Sequence, residues 1–97
     1  MREGARTIND VLDAVAAHFN ITREEVVSGR TSPRARQLAK YLACRVTGCS
    51  LPLIGAAFGG VSSTNVAHAL RKIERDMAVD AQFAAEVEGI EERLRAL

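Results

Sequence analysis

The sequence predicts an all-α domain with a helix-turn-helix at its centre. Three observations predict this fold: apolar residues recur every three or four positions, capping residues precede each apolar stretch, and glycines end several of them. With 97 residues, we expect a single domain over residues 1–97, built from three to six short helices. Aromatic residues make up only 4% of the chain, so the core must consist mainly of Ala, Val, Leu and Ile.

Two capping boxes mark the first two helices. In this motif a Ser or Thr side chain and a side chain three residues later each accept a hydrogen bond from the other's backbone amide. The pairs are Thr7 with Asp10 and Thr22 with Glu25. They predict a first helix over about residues 8–18 and then a short helical turn. Residues 1–6 are expected to be a mobile leader.

The third predicted helix begins at Pro33, with Ser32 as its N-cap, and ends near Gly48. Its apolar residues form one stripe: Ala35, Leu38, Ala39, Leu42, Ala43 and Val46. Arg34 and Arg36 leave this stripe at the entry to the helix. A guanidinium at such an entry could contact a phosphate or enter a minor groove.

Residues 50–73 carry the helix-turn-helix pattern. Ser50 can cap the first helix of the pair, a Gly59-Gly60 turn ends it, and Ser62 or Ser63 can cap the second. The second helix has an apolar stripe of Val66, Ala69, Leu70, Ile73 and Met77. Its opposite face is polar and basic: Thr64, Asn65, His68, Arg71, Lys72 and Arg75. A solvated amphipathic helix has the same pattern, so periodicity alone leaves both interpretations open.

After this pair the chain becomes acidic. Asp80 is placed to cap a last helix. Its predicted core residues are Phe83, Val87, Ile90 and Leu94, and its predicted water-facing acids are Glu86, Glu88, Glu91 and Glu92. Because these acids would repel a phosphate backbone, we expect the last helix to support packing.

The net charge of +1 hides a strong asymmetry. Residues 30–75 contain eight Lys and Arg residues and one acid, whereas the rest of the chain contains five basic and eleven acidic residues. A long basic stretch of this kind favours contact with the phosphates of duplex DNA. A solvated basic face remains the alternative.

Catalysis and cofactor binding have little support. Cys44 and Cys49 have no second ligand pair nearby, so we expect them to be buried or semi-buried small hydrophobes. No motif pairs a nucleophile with a base, and no Gly-x-x-x-x-Gly-Lys loop occurs. The expected protein is not an enzyme and has no cofactor, metal or nucleotide. It has no membrane-spanning run or signal-peptide pattern, so we expect it in the cytoplasm, associated with the nucleoid.

Four blocks of the sequence match a known family at the family's own spacing. They are RARQ at 34–37, SLPLIG at 50–55, FGG at 58–60 and VAHALRKI at 66–73. The chain thereby resembles the C-terminal DNA-binding domain, domain IV, of the bacterial chromosomal replication initiator DnaA. The similarity extends from Ile8 to about Met77. It implies an all-helical domain, with a helix-turn-helix related to that of the Trp repressor, that binds duplex DnaA boxes.

The resemblance also implies roles for individual residues. Arg34 takes the place of an arginine that enters the minor groove, Gln37 and Lys40 lie near the DNA backbone, and Thr64 meets the major groove. Arg71 and Lys72 match a basic pair with phosphate or structural roles. The whole predicted DNA-binding set is Arg34, Arg36, Gln37, Lys40, Ser62, Ser63, Thr64, Asn65, His68, Arg71 and Lys72.

Residues 61–66 depart from the family. The family characteristically reads Arg-Asp-His-Thr-Thr-Val there, and this sequence reads Val-Ser-Ser-Thr-Asn-Val. The Ser63 hydroxyl cannot span the distance that a histidine does, whereas Asn65 offers a bidentate pair to adenine. One lost base contact costs about 1–3 kcal/mol of discrimination. We therefore expect the scaffold and phosphate contacts to be kept while the base readout changes.

Three functions agree with these observations. The first is sequence-specific duplex binding in replication control or transcription, and the second is nonspecific, architectural DNA binding. The third is a protein-interaction surface that docks on an initiator or regulator. The chain is either a fragment of a larger initiator or a small standalone relative; Met1 and the altered residues 61–65 favour the standalone relative.

Overall fold

The computed structural model describes residues 6–97 and contains six α-helices over that range. They are α1 (Ile8–Phe19), α2 (Arg23–Ser28), α3 (Pro33–Thr47), α4 (Leu51–Ala57), α5 (Ser63–Val79) and α6 (Ala81–Arg95). The predicted all-α class is confirmed. Residues 1–5 of the predicted leader lie outside the described residues, and Arg6 donates hydrogen bonds to the backbone carbonyls of Leu94 and Arg95.

The helix starts follow from the sequence, because every N-cap side chain accepts a hydrogen bond from the backbone amide three residues later. The six N-caps are Thr7, Thr22, Ser32, Ser50, Ser62 and Asp80. Both predicted capping boxes are complete: the Thr7 amide donates to Asp10 at 3.0 Å and the Thr22 amide to Glu25 at 2.8 Å. Of the two candidate caps for α5, Ser62 is the one used.

The third helix, α3, lies at the centre of the fold and packs against all five other helices. Most of its predicted stripe is buried, and all four predicted core residues of α6 are buried too. In the predicted stripe of α5, Val66, Ala69 and Ile73 are buried, whereas Leu70 and Met77 are partly buried. Two neighbouring side chains, Lys40 and Tyr41, are also buried, at 3% and 5% exposure, although neither belongs to the predicted stripe. A helix surrounded by five neighbours buries a wider face than one packed on a single side.

The turn between α4 and α5 depends on a close approach of two backbone segments. The Gly55 carbonyl accepts hydrogen bonds from the amides of Phe58, Gly60 and Val61, at 3.0–3.1 Å. A Cβ atom on Gly55 would lie only 2.2 Å from the Val61 carbonyl oxygen. Gly59 and Gly60 both have positive φ, at 87° and 82°, a conformation that glycine adopts readily. The close approach therefore requires glycine at position 55, and Gly59 and Gly60 allow the tight turn without backbone strain.

One prediction about the acidic residues of α6 was wrong. Glu91 does not simply face water, because its carboxylate accepts hydrogen bonds from Arg45 on α3 and from Arg95, at 2.7–3.2 Å. Burial alone would raise the pKa of the Glu91 carboxyl, but these hydrogen bonds outweigh burial and lower it. His18, in the last turn of α1, pairs with Glu86 of α6. The acidic face of α6 thus joins it to α1 and α3.

Candidate nucleic-acid interface

The start of α3 and the outer face of α5 form one continuous polar surface. The six polar residues predicted for the outer face of α5 are all exposed. Between the two helices lies a polar depression of about 290 Å³. Its polar lining residues are Gln37, Lys40, Asn65, His68, Lys72 and Arg75. The fold therefore brings together side chains that lie up to 38 positions apart in the sequence.

Lys40 forms the floor of this depression. It is only 3% exposed, and its Nζ donates a 2.7 Å hydrogen bond to Asn65 Oδ1. The ammonium also lies 5.7 Å from the centre of the Phe58 ring. Burial, with repulsion from Arg36 as a smaller cause, lowers the pKa of Lys40 to about 8. No carboxylate forms an ion pair with Lys40 among residues 6–97.

Arg34 and Lys72 share one acidic partner. The Arg34 guanidinium lies 4.0 Å above the Phe83 ring and contacts Asp76 at 3.4 Å, while Lys72 Nζ donates to Asp76 at 3.0 Å and 3.2 Å. The hydrogen bond from Lys72 is the main cause of a lowered pKa of Asp76. A single carboxylate thus offsets two of the cations predicted to contact DNA.

Arg36 has a different environment from Arg34. Its guanidinium donates hydrogen bonds to the backbone carbonyl of Val27 and, at 3.2 Å, to that of Phe58. It is half-buried and lies 5.8 Å from the Phe58 ring centre. These contacts join the end of α2 to the end of α4. The Arg36 guanidinium is thus occupied in holding the two short helices against α3.

The first turn of α5 presents small polar side chains. The Ser62 hydroxyl accepts the 3.1 Å cap hydrogen bond from the backbone amide of Asn65. The neighbouring Ser63 is half-buried. Thr64 and His68 are exposed on the outer face. Because the amino-terminal end of a helix carries a partial positive charge, this turn favours anions and hydrogen-bond acceptors.

Two features of this surface were missed from the sequence. The spacing of Lys72 and Asp76, four residues apart on one helix, is a recognisable ion-pair pattern. The pairing of Lys40 with Asn65 has no local signal, because it joins residues on two helices that meet only in the folded chain.

No helix among residues 6–97 is long and apolar enough to cross a membrane.

A short first helix, a glycine turn and a second helix with an exposed, basic outer face define a helix-turn-helix domain of the nucleic-acid-binding class. The family described as "Bacterial dnaA protein helix-turn-helix" matches residues 8–73. The chain belongs to this family, which is the C-terminal DNA-binding domain of DnaA.

Relatives of this chain bear the name "Chromosomal replication initiator protein DnaA". The protein from Cereibacter sphaeroides is 41% identical over 93 residues, which is 93% of this chain and 20% of the relative. Those from Rhizobium meliloti and Agrobacterium fabrum are 42% and 44% identical over 84 residues, which is 84% of this chain and 18% and 17% of the relatives. The chain thus spans about a fifth of the length of these relatives.

Proposed function

We propose that this domain binds duplex DNA sequence-specifically and acts in the control of replication initiation or in transcription regulation. The observation that carries the proposal is the surface shared by α3 and α5, where exposed cations surround exposed amide, hydroxyl and imidazole groups. Cations of this kind contact phosphates, whereas the neutral polar groups contact base edges. The proposed place of action is the nucleoid, within the cytoplasm.

In this arrangement α5 lies in the major groove. The side chains that face the base edges are those of Ser63, Thr64, Asn65 and His68. Ser62 caps the start of the helix, and its hydroxyl lies near the DNA backbone. Arg71 and Lys72, further along the helix, contact phosphates. This order agrees with the distribution of polar groups first and cations later along the exposed face of α5.

The start of α3 supplies the second set of contacts. Arg34 would leave Asp76 and the Phe83 ring for the minor groove or the backbone, and Gln37 would contact a phosphate. Arg36 belongs to the same basic entry, but its two carbonyl contacts favour a supporting role, with only its remaining N–H groups available to DNA.

A fluorescence anisotropy titration tests the proposal. One labelled duplex carries a DnaA box and a second carries the same bases in shuffled order, each at low and at moderate salt. Tighter binding to the box would mean that residues 61–66 still read the family's site. Equal, strongly salt-dependent binding would mean that only the phosphate contacts act on these two sequences, and selection from a random pool would then decide between a different site and nonspecific binding. If neither duplex binds, the proposal is wrong and a protein-interaction surface replaces it.

Lys72→Ala tests the assigned phosphate contact. We expect it to weaken binding to both duplexes alike and to reduce the slope of log K against log salt by about 1. Arg23→Ala is the matched control, because Arg23 is also an exposed cation paired with an aspartate, Asp13, but lies on α2. Equal effects of the two variants would contradict the assignment of the α3–α5 surface.

A further inference from the structure

The contact between Lys40 and Asn65 fixes the orientation of an exposed amide. A lysine ammonium has three hydrogen-bond donors and no acceptor, so it can contact only the oxygen of the Asn65 side chain. The 2.7 Å distance from Lys40 Nζ to Asn65 Oδ1 agrees with a strong, charge-assisted hydrogen bond. Because the ammonium can only donate, the oxygen of the Asn65 side-chain amide must face Lys40.

This orientation leaves the amide NH2 group of Asn65 directed away from Lys40. Asn65 is exposed, and its NH2 group donates to no other side chain or carbonyl in the part of the chain that the structure describes. Lys40 is nearly inaccessible, so the ammonium reaches solvent or DNA mainly through the amide above it. The outer face of the pair thus presents two N–H donors.

An asparagine that is free to turn favours adenine, because its oxygen accepts from N6 and its NH2 group donates to N7. The Asn65 oxygen keeps a second lone pair, but the ammonium bound to it makes it a weaker acceptor and repels the partly positive amino group at adenine N6. Guanine presents two acceptors in the major groove, O6 and N7, and no donor there. A fixed amide with its N–H groups outward therefore matches guanine better than adenine.

We propose that Lys40 is a positioning residue that holds the Asn65 amide with its NH2 group outward, so that Asn65 selects guanine in the major groove. The inference rests on the proposed sequence-specific function and adds the identity of one base.

The test is selection of duplexes from a pool with a randomised central stretch, followed by sequencing of the bound fraction. The whole chain is used in its wild-type form and as the variants Lys40→Met, Asn65→Ala and Asn65→Asp. For the wild type we expect one position where guanine is preferred over adenine by about fivefold or more. Asn65→Ala should remove the preference at that position and leave the other positions unchanged.

Lys40→Met should change the base preference at that position from guanine to adenine, because the released amide can turn and offer its oxygen to N6 together with its NH2 group to N7. Asn65→Asp keeps the contact with Lys40 but presents acceptors only, so it should favour cytosine, whose N4 amino group is a donor. A merely structural role for Lys40 would weaken binding at all positions without changing the preferred base.

The outcomes separate this inference from the proposed function. If the wild type enriches no sequence, the sequence-specific function itself fails. If it enriches a site but Lys40→Met leaves every base preference unchanged, or weakens all positions uniformly, the orienting role of Lys40 is wrong. Circular dichroism melting curves establish that each variant is folded. If Lys40→Met does not fold, the wild type and Asn65→Ala still decide, because a wild-type preference for adenine at the position that depends on Asn65 would overturn the orienting role of Lys40.

Discussion

Replacement of Lys40 by methionine should make the protein more stable. The ammonium is buried without a carboxylate partner in the described chain, and burial lowers the pKa of Lys40 from its ordinary value of 10.5 to about 8. Each pKa unit corresponds to about 1.36 kcal/mol. The buried charge of Lys40 therefore lowers the free energy of unfolding by about 3 kcal/mol at neutral pH. Methionine has a similar length and no charge to bury.

Lys40→Met also removes the hydrogen bond from Lys40 to Asn65, and this loss offsets part of the gain in stability. A hydrogen bond from a charged group contributes about 1.5–3 kcal/mol, but Asn65 is exposed and water can replace its partner. We therefore expect a net rise of about 2 kcal/mol in the free energy of unfolding near pH 7. For a domain of this size, that corresponds to an increase in melting temperature of about 8–16 °C.

The dependence on pH identifies the cause. Between pH 8 and 10.5 the unfolded chain binds more protons at Lys40 than the folded chain does, so the stability contributed by this site rises with pH. The cost of the buried charge is fully present below about pH 8 and decreases towards pH 10.5. The advantage of Lys40→Met should therefore be largest at neutral pH and shrink as the pH is raised. The comparison uses the difference between the two proteins, since both retain Tyr41, whose pKa is raised mainly by burial.

Urea denaturation followed by far-ultraviolet circular dichroism, near pH 7 and near pH 10, measures these differences. Lys72→Met is the matched control, because Lys72 is an exposed lysine on the same surface, and its removal should change stability by less than about 0.5 kcal/mol. A Lys40→Met protein that is less stable than the wild type near pH 7 would refute this reasoning. If the difference in free energy of unfolding between Lys40→Met and the wild type stays constant with pH, then packing, and not the buried charge, is responsible.

Two further predictions concern the turn and the shared carboxylate. Gly55→Ala should destabilise the domain by about 1–3 kcal/mol in urea denaturation, because its Cβ would lie 2.2 Å from the Val61 carbonyl oxygen. Gly89→Ala is the control: its Cβ meets nothing within 4 Å, so it should stabilise by about 0.5–1 kcal/mol, and equal effects would contradict the close-approach argument. Asp76→Asn should raise DNA affinity about three- to tenfold at low salt by releasing two cations, as measured by anisotropy. Asp13→Asn, which releases a cation on α2, should have little effect, and a similar gain there would count against the assigned surface.

Most of the fold could be predicted because its signals are local. Each helix start depends on a side chain and an amide three residues apart, as at Thr7, Thr22 and Asp80, and such pairs are visible in the sequence. The burial of Lys40 was not predictable in the same way. It follows from the position of α3 among five helices, which extends the buried face past the apolar stripe. Glu91 was misjudged for a related reason, since its partner Arg45 is 46 residues away in the chain.

In the candidate site, too, features with a local signal could be predicted and contacts between distant residues could not. The exposed cations and polar groups of α5 could be predicted from helical periodicity, since they all lie opposite its apolar stripe. The partners of those groups could not. Arg34 lies on Phe83 and Asp76, and Arg36 is bound to two carbonyls, so two arginines that look equivalent in the sequence have different surroundings in the fold.

Two sources of positive potential meet at the first turn of α5, and together they determine which base edges suit this surface. The helix dipole places a partial positive charge at the amino-terminal end of α5, and the buried Lys40 ammonium adds a full charge directly beneath Asn65. Both favour acceptors over donors on the DNA. Neither comes from a side chain of residues 61–63, which are Val, Ser and Ser in this chain. Under the proposed function, this surface would therefore discriminate among bases through the charge beneath Asn65, which disfavours the amino groups of adenine and cytosine at the contacted position.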